Sequence, residues 1–340
     1  MATKTFRSFR SLDVAIDLGT SQTSVFVNGE GLVYQEPSMI SMRSSKHCES
    51  VLAIGSEAYK MKGKEPLGVT TIKPLHSGVI DKLEAAKLML NEIAKRTKIC
   101  RFLKKPRILV GAPFKISDVE RRAVMDALSV WGSFNIAIIE EPLAAAIGAD
   151  IDITESVGNV VIDIGSGITE AVVISLGGIV RCESMRVGGD AITDALITYF
   201  RNHYNLIVGE QSIELLKPLL CDIYGESEEI VTIKGIDVRT YLPQTKAVRS
   251  SHVRDAILPP INAILHTCRL MLENTPPELA GDLIERGVIL TGGSAQLLNL
   301  DQFLEKSFHV PVRIAHDSAG ATLRGISHML DKIDIIRMMD

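Results

Sequence analysis

Apolar and polar residues follow two alternating patterns along the chain, and the order of these patterns repeats. Short apolar runs separated by turn residues fill residues 13–54 and begin again at residue 159, which predicts two clusters of β-strands. After each cluster, apolar residues recur at helical spacing, over about 81–98, 117–131 and 190–203. Strands that alternate with helices predict an α/β fold, and the repeated order predicts two duplicated domains with a ligand cleft between them.

Local signals place further elements. Ser117 with Glu120 three residues later has the pattern of a capping box at a helix start. Ser251 opens a long helical stretch, which we expect the Pro259-Pro260 pair to interrupt. Residue types also predict strands at 107–110, 136–139, 179–187 and 288–290, and short strands within 228–248. Further helices are predicted from Pro142, over 210–220 and around 318–333.

One short turn follows the first strand of each cluster, and the two turns have nearly the same sequence. Residues 17–23 read Asp-Leu-Gly-Thr-Ser-Gln-Thr, and residues 163–169 read Asp-Ile-Gly-Ser-Gly-Ile-Thr. Glycines let the backbone approach phosphate oxygens, and the hydroxyl groups add donors. The aspartates, Asp17 and Asp163, are suited to hold Mg²⁺ through water. One such turn alone could be an ordinary glycine hairpin, whereas the matched pair favours a phosphate site.

A third glycine-rich segment, residues 290–295, reads Leu-Thr-Gly-Gly-Ser-Ala between a predicted strand and a predicted helix. Backbone N–H groups at such a junction can face an anion or an adenosine. An ordinary strand-to-helix turn is the alternative interpretation.

Composition narrows the classes of function. The chain has 340 residues, which is typical of about two domains, and a net charge of −4 that gives no reason to expect nucleic acid binding. Its five cysteines are scattered without a C-x-x-C pair, as in reduced proteins of the cytosol. No apolar run is long enough to predict a membrane span or a signal peptide.

Several motifs together resemble the ATPase core shared by actin, heat-shock chaperones and sugar kinases. They are the two aspartate-led turns, the Glu-Glu-Pro-Leu-Ala-Ala-Ala connection at 140–146 and the Thr-Gly-Gly loop at 291–293. Within that group the chain closely resembles the MreB family of bacterial actins, from about residue 13 to about residue 330. The segments that also agree are 34–38, 186–190, 204–206, 209–210 and 275–280.

The resemblance implies an actin-like ATPase fold of two duplicated α/β domains around a nucleotide cleft. The expected domains are 13–155, with the C-terminal helix 318–333 packing back on it, and 156–317. A smaller nucleotide-contacting subdomain is expected within the second domain, at about 190–250.

The resemblance also implies a site for ATP or ADP with Mg²⁺. Asp17 and Asp163 would support the metal, and Glu141 would orient the attacking water; Glu141 could alternatively cap the helix that starts at Pro142. The residues implied for the nucleotide are Asp17, Gly19, Thr20, Ser21, Gln22, Asp163, Gly165, Ser166, Gly167, Ile168, Glu214, Lys217, Gly292, Gly293, Ser294 and Ala295.

The second turn departs from the family pattern. Relatives usually read Asp-Ile-Gly-Gly-Gly-Thr-Thr-Glu there, so Ile168 stands where a threonine hydroxyl is expected beside the γ-phosphate. Loss of one hydrogen bond to a transition state costs about 10²–10³ in rate. Thr169 is a candidate catalytic substitute, although its side chain should point to the other face of the strand. We therefore expect nucleotide binding with slow or altered hydrolysis.

Two basic and apolar segments suggest a membrane surface site. Residues 1–12 carry three basic residues and no acidic one, and residues 95–107 hold seven Lys or Arg and no Asp or Glu. The apolar side chains in them that could enter the inner leaflet are Phe6, Phe9, Phe102 and Leu103. A frayed terminus is the alternative for residues 1–12.

The function implied by the resemblance is an ATP-dependent filament on the inner face of the cell membrane that organises cell-wall synthesis and rod shape. Its expected partners are further copies of itself, head to tail, anionic lipid, and membrane-bound cell-wall elongation proteins.

The helix from Ser117 could pair two filaments antiparallel or simply pack in the core. A specialised paralogue with weak or no ATP hydrolysis is an alternative. A small-molecule kinase and a chaperone ATPase, which would need substrate insertions or a further domain, fit less well.

Overall fold

A computed structural model describes residues 12–44, 49–99, 105–133, 135–224, 229–333 and 336. The chain forms two compact units, one of Met1–Ile139 with Ile326–Asp340 and one of Glu140–Gly325. The expected boundary at residue 155 thus falls inside the second unit, because the helix that begins at Glu141 packs against the strands of that unit. The proposed anchor at residues 1–12 lies outside the described residues, apart from Leu12.

Over its described residues, the first unit is built mainly from short strands with three α-helices between them. Its elements in chain order are β1 Asp13–Leu18, β2 Gln22–Val27, β3 Gly31–Pro37, β4 Ile40–Ser44, β5 Glu49–Ile54, α1 Gly55–Met61, β6 Val69–Ile72, β7 Leu75–His76, β8 Val79–Ile80, α2 Leu83–Thr97, β9 Arg107–Ala112, α3 Asp118–Leu128 and β10 Asn135–Glu140.

The second unit repeats this alternation with longer helices. Its elements are α4 Glu141–Gly148, β11 Asn159–Ile164, β12 Thr169–Ser175, β13 Gly178–Met185, α5 Gly189–Tyr204, β14 Leu206–Ile207, α6 Glu210–Leu220, β15 Ile230–Asp237, β16 Pro243–Arg249, α7 Ser250–Glu273, α8 Pro277–Arg286, β17 Val288–Thr291, α9 Leu300–Phe308 and β18 Val312–Ile314. A last helix, α10 Ala321–His328, begins in the second unit, and its residues from Ile326 onward belong to the first.

The main sheets of the two units have the same strand order. The first sheet runs β10-β9-β1-β2-β3, and the second runs β18-β17-β11-β12-β13. In the first sheet, β1 pairs antiparallel with β2 and parallel with β9. In the second sheet, β11 pairs antiparallel with β12 and parallel with β17. This equivalence confirms the predicted α/β fold and its internal duplication.

The central strand of the second sheet is buried along its whole length. All six residues of β11 are buried, because helices cover both faces of the sheet. On one face Val161 packs with Ala145 of α4, and on the other Ile162 belongs to the cluster that includes α5 and α7. Burial on both faces explains the consecutive apolar residues Val160, Val161 and Ile162 of β11.

Helix α7 continues through Pro259 and Pro260, so the predicted interruption was wrong. Its buried positions include Val253, Ile257 and Ile261, on the stripe that faces the core. The prolines lie on the more exposed side, where water can hydrate the carbonyl groups that lose an N–H partner. Core packing of the opposite face therefore outweighs the cost of the prolines.

Two predicted helices are shorter than expected. The segment 318–333 consists of a 3₁₀ turn at Ser318–Gly320, α10, and a second 3₁₀ turn at Leu330–Lys332. After β17, the chain forms only a 3₁₀ turn at Gly293–Gln296 before α9 begins. By contrast, the capping box at Ser117 is confirmed, with hydrogen bonds in both directions between Ser117 and Glu120.

Candidate functional site

The first aspartate-led turn joins β1 to β2, and four residues of it, the last being the first residue of β2, lie outside the pairing of the two strands. Leu18 pairs with Thr23, which leaves Gly19, Thr20, Ser21 and Gln22 in the loop. A Cβ atom on Gly19 would lie 2.8 Å from the Gln22 carbonyl oxygen, so the turn requires glycine there.

Neighbouring segments hold the first loop from one side. The Ser38 hydroxyl donates to the Gly19 carbonyl oxygen at 2.6 Å, and the Ser38 N–H donates to the Ser21 carbonyl oxygen at 2.9 Å. The N–H of Gly78 donates to the buried Thr20 hydroxyl oxygen at 2.8 Å. Ser38 lies in the segment at 34–38 that carried the resemblance, and its clamping role was missed because it depends on a distant contact.

The second turn has the same length. Ile164 pairs with Thr169, and the N–H of Gly165 donates to the Ile168 carbonyl oxygen at 2.9 Å. This places Gly165, Ser166, Gly167 and Ile168 in a second four-residue loop, which we call the second loop.

The start of helix α5 orients the peptide groups of the second loop. The N–H of Gly189 donates to the Gly165 carbonyl oxygen at 3.0 Å, and the N–H of Asp190 donates to the Ser166 carbonyl oxygen at 2.8 Å. In a trans peptide the C=O and N–H groups point in opposite directions. The N–H groups of Ser166 and Gly167 therefore point away from α5, and no described residue accepts a hydrogen bond from either of them. Two consecutive N–H groups aimed the same way form an anion-binding concavity.

A buried carboxylate precedes the second loop. Asp163 is 7% exposed, and its Oδ1 accepts a hydrogen bond from the Thr291 hydroxyl at 2.7 Å. Burial raises the pKa of Asp163, and the hydrogen bond from Thr291 opposes that shift. An ionised Asp163 is therefore costly unless a cation lies close to it.

The third glycine-rich segment contacts the second loop. Gly292 has a φ of +84°, and a Cβ atom there would overlap the Ile164 carbonyl oxygen. The Ser294 hydroxyl donates to the Gly165 carbonyl oxygen at 2.9 Å. Gly293 and Ala295 belong to the same 3₁₀ turn, so the sequence-predicted loops 165–168 and 292–295 are brought together.

Glu214 and Lys217 form an ion pair on α6, with 2.8 Å between Nζ and Oε1. Lys217 also donates to Thr193 and to the Gly189 carbonyl oxygen, so the pair contacts the start of α5. The glycines at 188 and 189 and Thr193 were not among the predicted site residues. The segment 186–190 had carried the resemblance, which was the available signal for them.

Glu141 is 9% exposed and is the first residue of α4, which packs against β11 and β12. Glu140 occupies the helix N-cap position, which makes Glu141 an N1 residue rather than the cap. The candidate substitute Thr169 is fully buried, and its hydroxyl donates to the Val187 carbonyl oxygen at 2.7 Å. Ile168 is half-buried.

The four side chains predicted for membrane contact, Phe6, Phe9, Phe102 and Leu103, lie outside the described residues. Within the described part of the chain, none of the helices has the length and apolar character needed to cross a bilayer. The same residues contain no group of three or more His, Cys, Asp or Glu side chains arranged to hold a metal.

Two sheets of the same strand order, each with an aspartate-led glycine loop after its central strand, define an actin-like α/β protein. A family model described as MreB/Mbl protein matches residues 11–338. The chain belongs to the MreB/Mbl family.

Among its relatives, the cell shape-determining protein MreB of Escherichia coli (strain K12) is 37% identical over 336 residues, covering 98% of this chain and 97% of that protein. The cell shape-determining protein Mbl of Bacillus subtilis (strain 168) is 37% identical over 323 residues, covering 95% and 96%.

Solved structures agree with this fold. MreB 5 of Spiroplasma citri bound to AMPPNP has a TM-score of 0.91 and 32% identity, and the match covers 97% of this chain and 99% of that one. The chain of the MamK double helical filament shares the fold with a TM-score of 0.77 at 17% identity, covering 95% and 99%.

Proposed function

We propose that this chain binds ATP and ADP and assembles into filaments that help to determine cell shape. The nucleotide proposal rests on the orientation of the second loop. Helix α5 binds the carbonyl groups of Gly165 and Ser166, so the N–H groups of Ser166 and Gly167 point away from that helix. Crystal structures of MreB 5 of Spiroplasma citri with AMPPNP and with ADP support the same ligand class.

In this proposal the two phosphate loops bind the β- and γ-phosphates, through Thr20 to Gln22 and Ser166 to Ile168. The turn from Gly292 to Ala295 closes over the adenosine, and Glu214 and Lys217 lie on the ribose and adenine side. The contact between Ser294 and Gly165 supports this arrangement because it joins the adenosine turn to the second loop.

The carboxylate groups of Asp17 and Asp163 are ligands that fit a magnesium ion. Asp163 is a buried carboxylate with a raised pKa, and a nearby cation would stabilise its ionised form. Asp163 and Asp17 would hold Mg²⁺ mainly through water. When bound, the ion would neutralise charge on the phosphate oxygens.

We propose that hydrolysis is slow. Glu141 is the candidate for orienting water, because a carboxylate near the γ-phosphate can polarise a nucleophile. Ile168 supplies no hydroxyl group, and the Thr169 hydroxyl is already bonded to Val187. The missing hydrogen bond would lower the rate by about 10²–10³. This feature favours the second candidate function, a specialised family member that binds nucleotide with weak or no turnover.

Self-association is supported by an exposed apolar end of the sheet β14-β15-β16. Ile207 lies opposite Ile236, and the adjoining turn exposes 75% of Tyr241 and 64% of Leu242. Apolar groups clustered on a surface mark an interaction site. A head-to-tail contact with a second copy would bury them and extend into a filament.

We also propose that the filaments lie on the cytoplasmic face of the cell membrane and work with membrane-bound cell-wall elongation proteins. The two basic and apolar segments of the sequence support this proposal. Flotation with vesicles containing anionic lipid tests it: replacing Phe6, Phe9, Phe102 and Leu103 by Ser should abolish flotation. The control is Leu67→Ser, at an exposed leucine outside both segments. Undiminished flotation of the fourfold variant would contradict the proposal.

The experiment that tests the main function combines equilibrium ATP binding with pelleting and electron microscopy, with and without lipid. We expect ATP to bind and to promote filaments. No ATP binding would contradict the nucleotide proposal. ATP binding without filaments under any nucleotide would contradict the self-association proposal and leave a regulatory paralogue as the better interpretation.

A further inference from the structure

The side chain of Ser294 lies where three segments that are far apart in sequence meet. Its hydroxyl donates to the Gly165 carbonyl oxygen of the second loop at 2.9 Å. The same Oγ atom lies 2.6 Å from the position that a Cβ atom on Gly189 would occupy, at the start of α5. Ser294 therefore joins the adenosine turn to the second loop at a point where α5 has no side chain.

The Gly165 carbonyl oxygen accepts two hydrogen bonds, which come from different segments. The N–H of Gly189 donates to it at 3.0 Å, and the Ser294 hydroxyl supplies the second bond. A carbonyl oxygen has two lone pairs, so it can accept both. The bond from α5 involves backbone atoms alone, whereas the bond from Ser294 depends on the conformation of a side chain on the adenosine turn.

The adenosine turn is anchored at its ends and accessible in its middle. The N–H of Gly292 donates to the Ser318 carbonyl oxygen at 2.9 Å, and Ala295 is fully buried. Between them Gly293 is exposed and Ser294 is half-buried. A serine side chain can rotate about χ1 between staggered conformations, and only some of these keep its hydrogen bond. A ligand that packs on this turn would restrict the rotation and favour the bonded conformation.

We propose that the Ser294 hydroxyl couples the two halves of the nucleotide site. A nucleoside on the adenosine turn holds Ser294 against Gly165 and thereby stabilises the second loop. Phosphates on the second loop stabilise the adenosine turn to the same extent, because the coupling between two ligands is reciprocal. Ser294 is thus a positioning residue. The inference rests on the proposed nucleotide function and deepens it by naming the group that links nucleoside and phosphates.

Hydrogen exchange with and without adenosine, which carries no phosphate, tests the coupling. In the wild type, adenosine should slow exchange at the amides of Gly292 and Ala295. It should also slow the amide of Gly165, whose N–H donates to Ile168 within the second loop, by about fivefold, the effect of one ordinary hydrogen bond. In Ser294→Ala, the turn amides should still respond, but the Gly165 amide should change less than about twofold.

The matched control for this experiment is Ser307→Ala. It removes another serine hydroxyl that donates to a carbonyl oxygen, that of Phe303 in α9, at 2.8 Å. This variant should keep the full effect of adenosine at Gly165. Equal slowing of the Gly165 amide in the wild type and in Ser294→Ala would overturn the proposal, and so would slowing confined to the adenosine turn in the wild type.

Gly189→Ala tests the same contact from the side of α5. The added Cβ would lie 2.6 Å from the Ser294 Oγ, whereas the next atom is at 3.5 Å, an ordinary contact distance. The variant should displace the hydroxyl and abolish the effect of adenosine at Gly165, and adding Ser294→Ala should cause no further change. Gly281→Ala, whose Cβ would meet no atom within 4 Å, is the control. An undiminished adenosine effect in Gly189→Ala would overturn the proposal.

Failure of the proposed nucleotide function would look different. If adenosine slows no amide of the wild type, the nucleoside site is contradicted, and the ligand-free proteins test the link between turn and loop separately. Without ligand, the Gly165 amide should exchange about threefold faster in Ser294→Ala than in the wild type, because the loop has lost one of its hydrogen bonds. Equal ligand-free rates would overturn the proposal.

Discussion

Single glycines determine how closely the segments of the candidate site approach one another. Gly292 adopts a left-handed backbone conformation, and a side chain there would overlap the carbonyl of Ile164 at the end of β11. Gly189 leaves room for the Ser294 hydroxyl, which lies 2.6 Å from the position of a Cβ atom. The sequence could indicate these glycines as loop residues, but the atoms that exclude a side chain come from distant segments.

Gly292→Ala should lower the free energy of unfolding by about 1–3 kcal/mol, because the new methyl group meets backbone atoms at an unfavourable φ. Urea unfolding followed by circular dichroism measures this change. The control is Gly281→Ala, in the interior of α8, where no atom lies within 4 Å of the added Cβ. The free energy of unfolding of Gly281→Ala should equal that of the wild type or exceed it slightly. Equal stability of the Gly292 variant and the wild type would contradict the close approach.

At the scale of elements, the hydrophobic pattern predicted most strands and helices, because burial on one or both faces leaves a clear periodicity. The capping box at Ser117 was readable since all of its partners lie within four residues. Local rules failed where packing decides the outcome. Pro259 and Pro260 predicted a break, yet the buried face of α7 keeps the helix continuous. The opposite error occurred near the end of the chain. The pattern over 318–333 predicted one continuous helix, but the segment forms a 3₁₀ turn, the short helix α10 and a second 3₁₀ turn.

Pro259→Ala should therefore stabilise the protein. It removes the helix-interior penalty of proline and restores an N–H donor toward the carbonyl of Asp255, on the exposed side of α7. The expected gain is about 1–2 kcal/mol after allowing for the greater freedom of the unfolded chain. A thermal melt at fixed protein and nucleotide concentration provides the comparison. A lower melting temperature would contradict this expectation and mean that the packing of α7 requires proline at position 259.

At the scale of the whole molecule, the duplication was predictable because the two aspartate-led turns retain nearly the same sequence. Their shared four-residue length and the matching strand order follow from that repeat. The hydrogen bonds that hold the loops, from Ser38 in one unit and from α5 in the other, were not predictable. They join residues far apart in sequence, and only the folded chain brings them together.

Assembly should depend on the exposed apolar end of the sheet β14-β15-β16. The double change Tyr241→Ser and Leu242→Ser removes most of the apolar surface at that turn, so ATP-dependent pelleting should fall at least fivefold while ATP affinity stays unchanged. Leu219→Ser, at an exposed position of α6, is the matched control. Pelleting of the double variant at the wild-type level would show that filaments use another surface.

Phosphate release at saturating ATP and Mg²⁺, compared between the wild type and Ile168→Thr, tests the role of the second loop most directly. Both proteins should bind ATP, the wild type should release phosphate near the background rate, and the threonine should raise that rate by about 10²-fold. A wild-type rate equal to that of Ile168→Thr, or to that of MreB from Escherichia coli measured in parallel, would contradict this role.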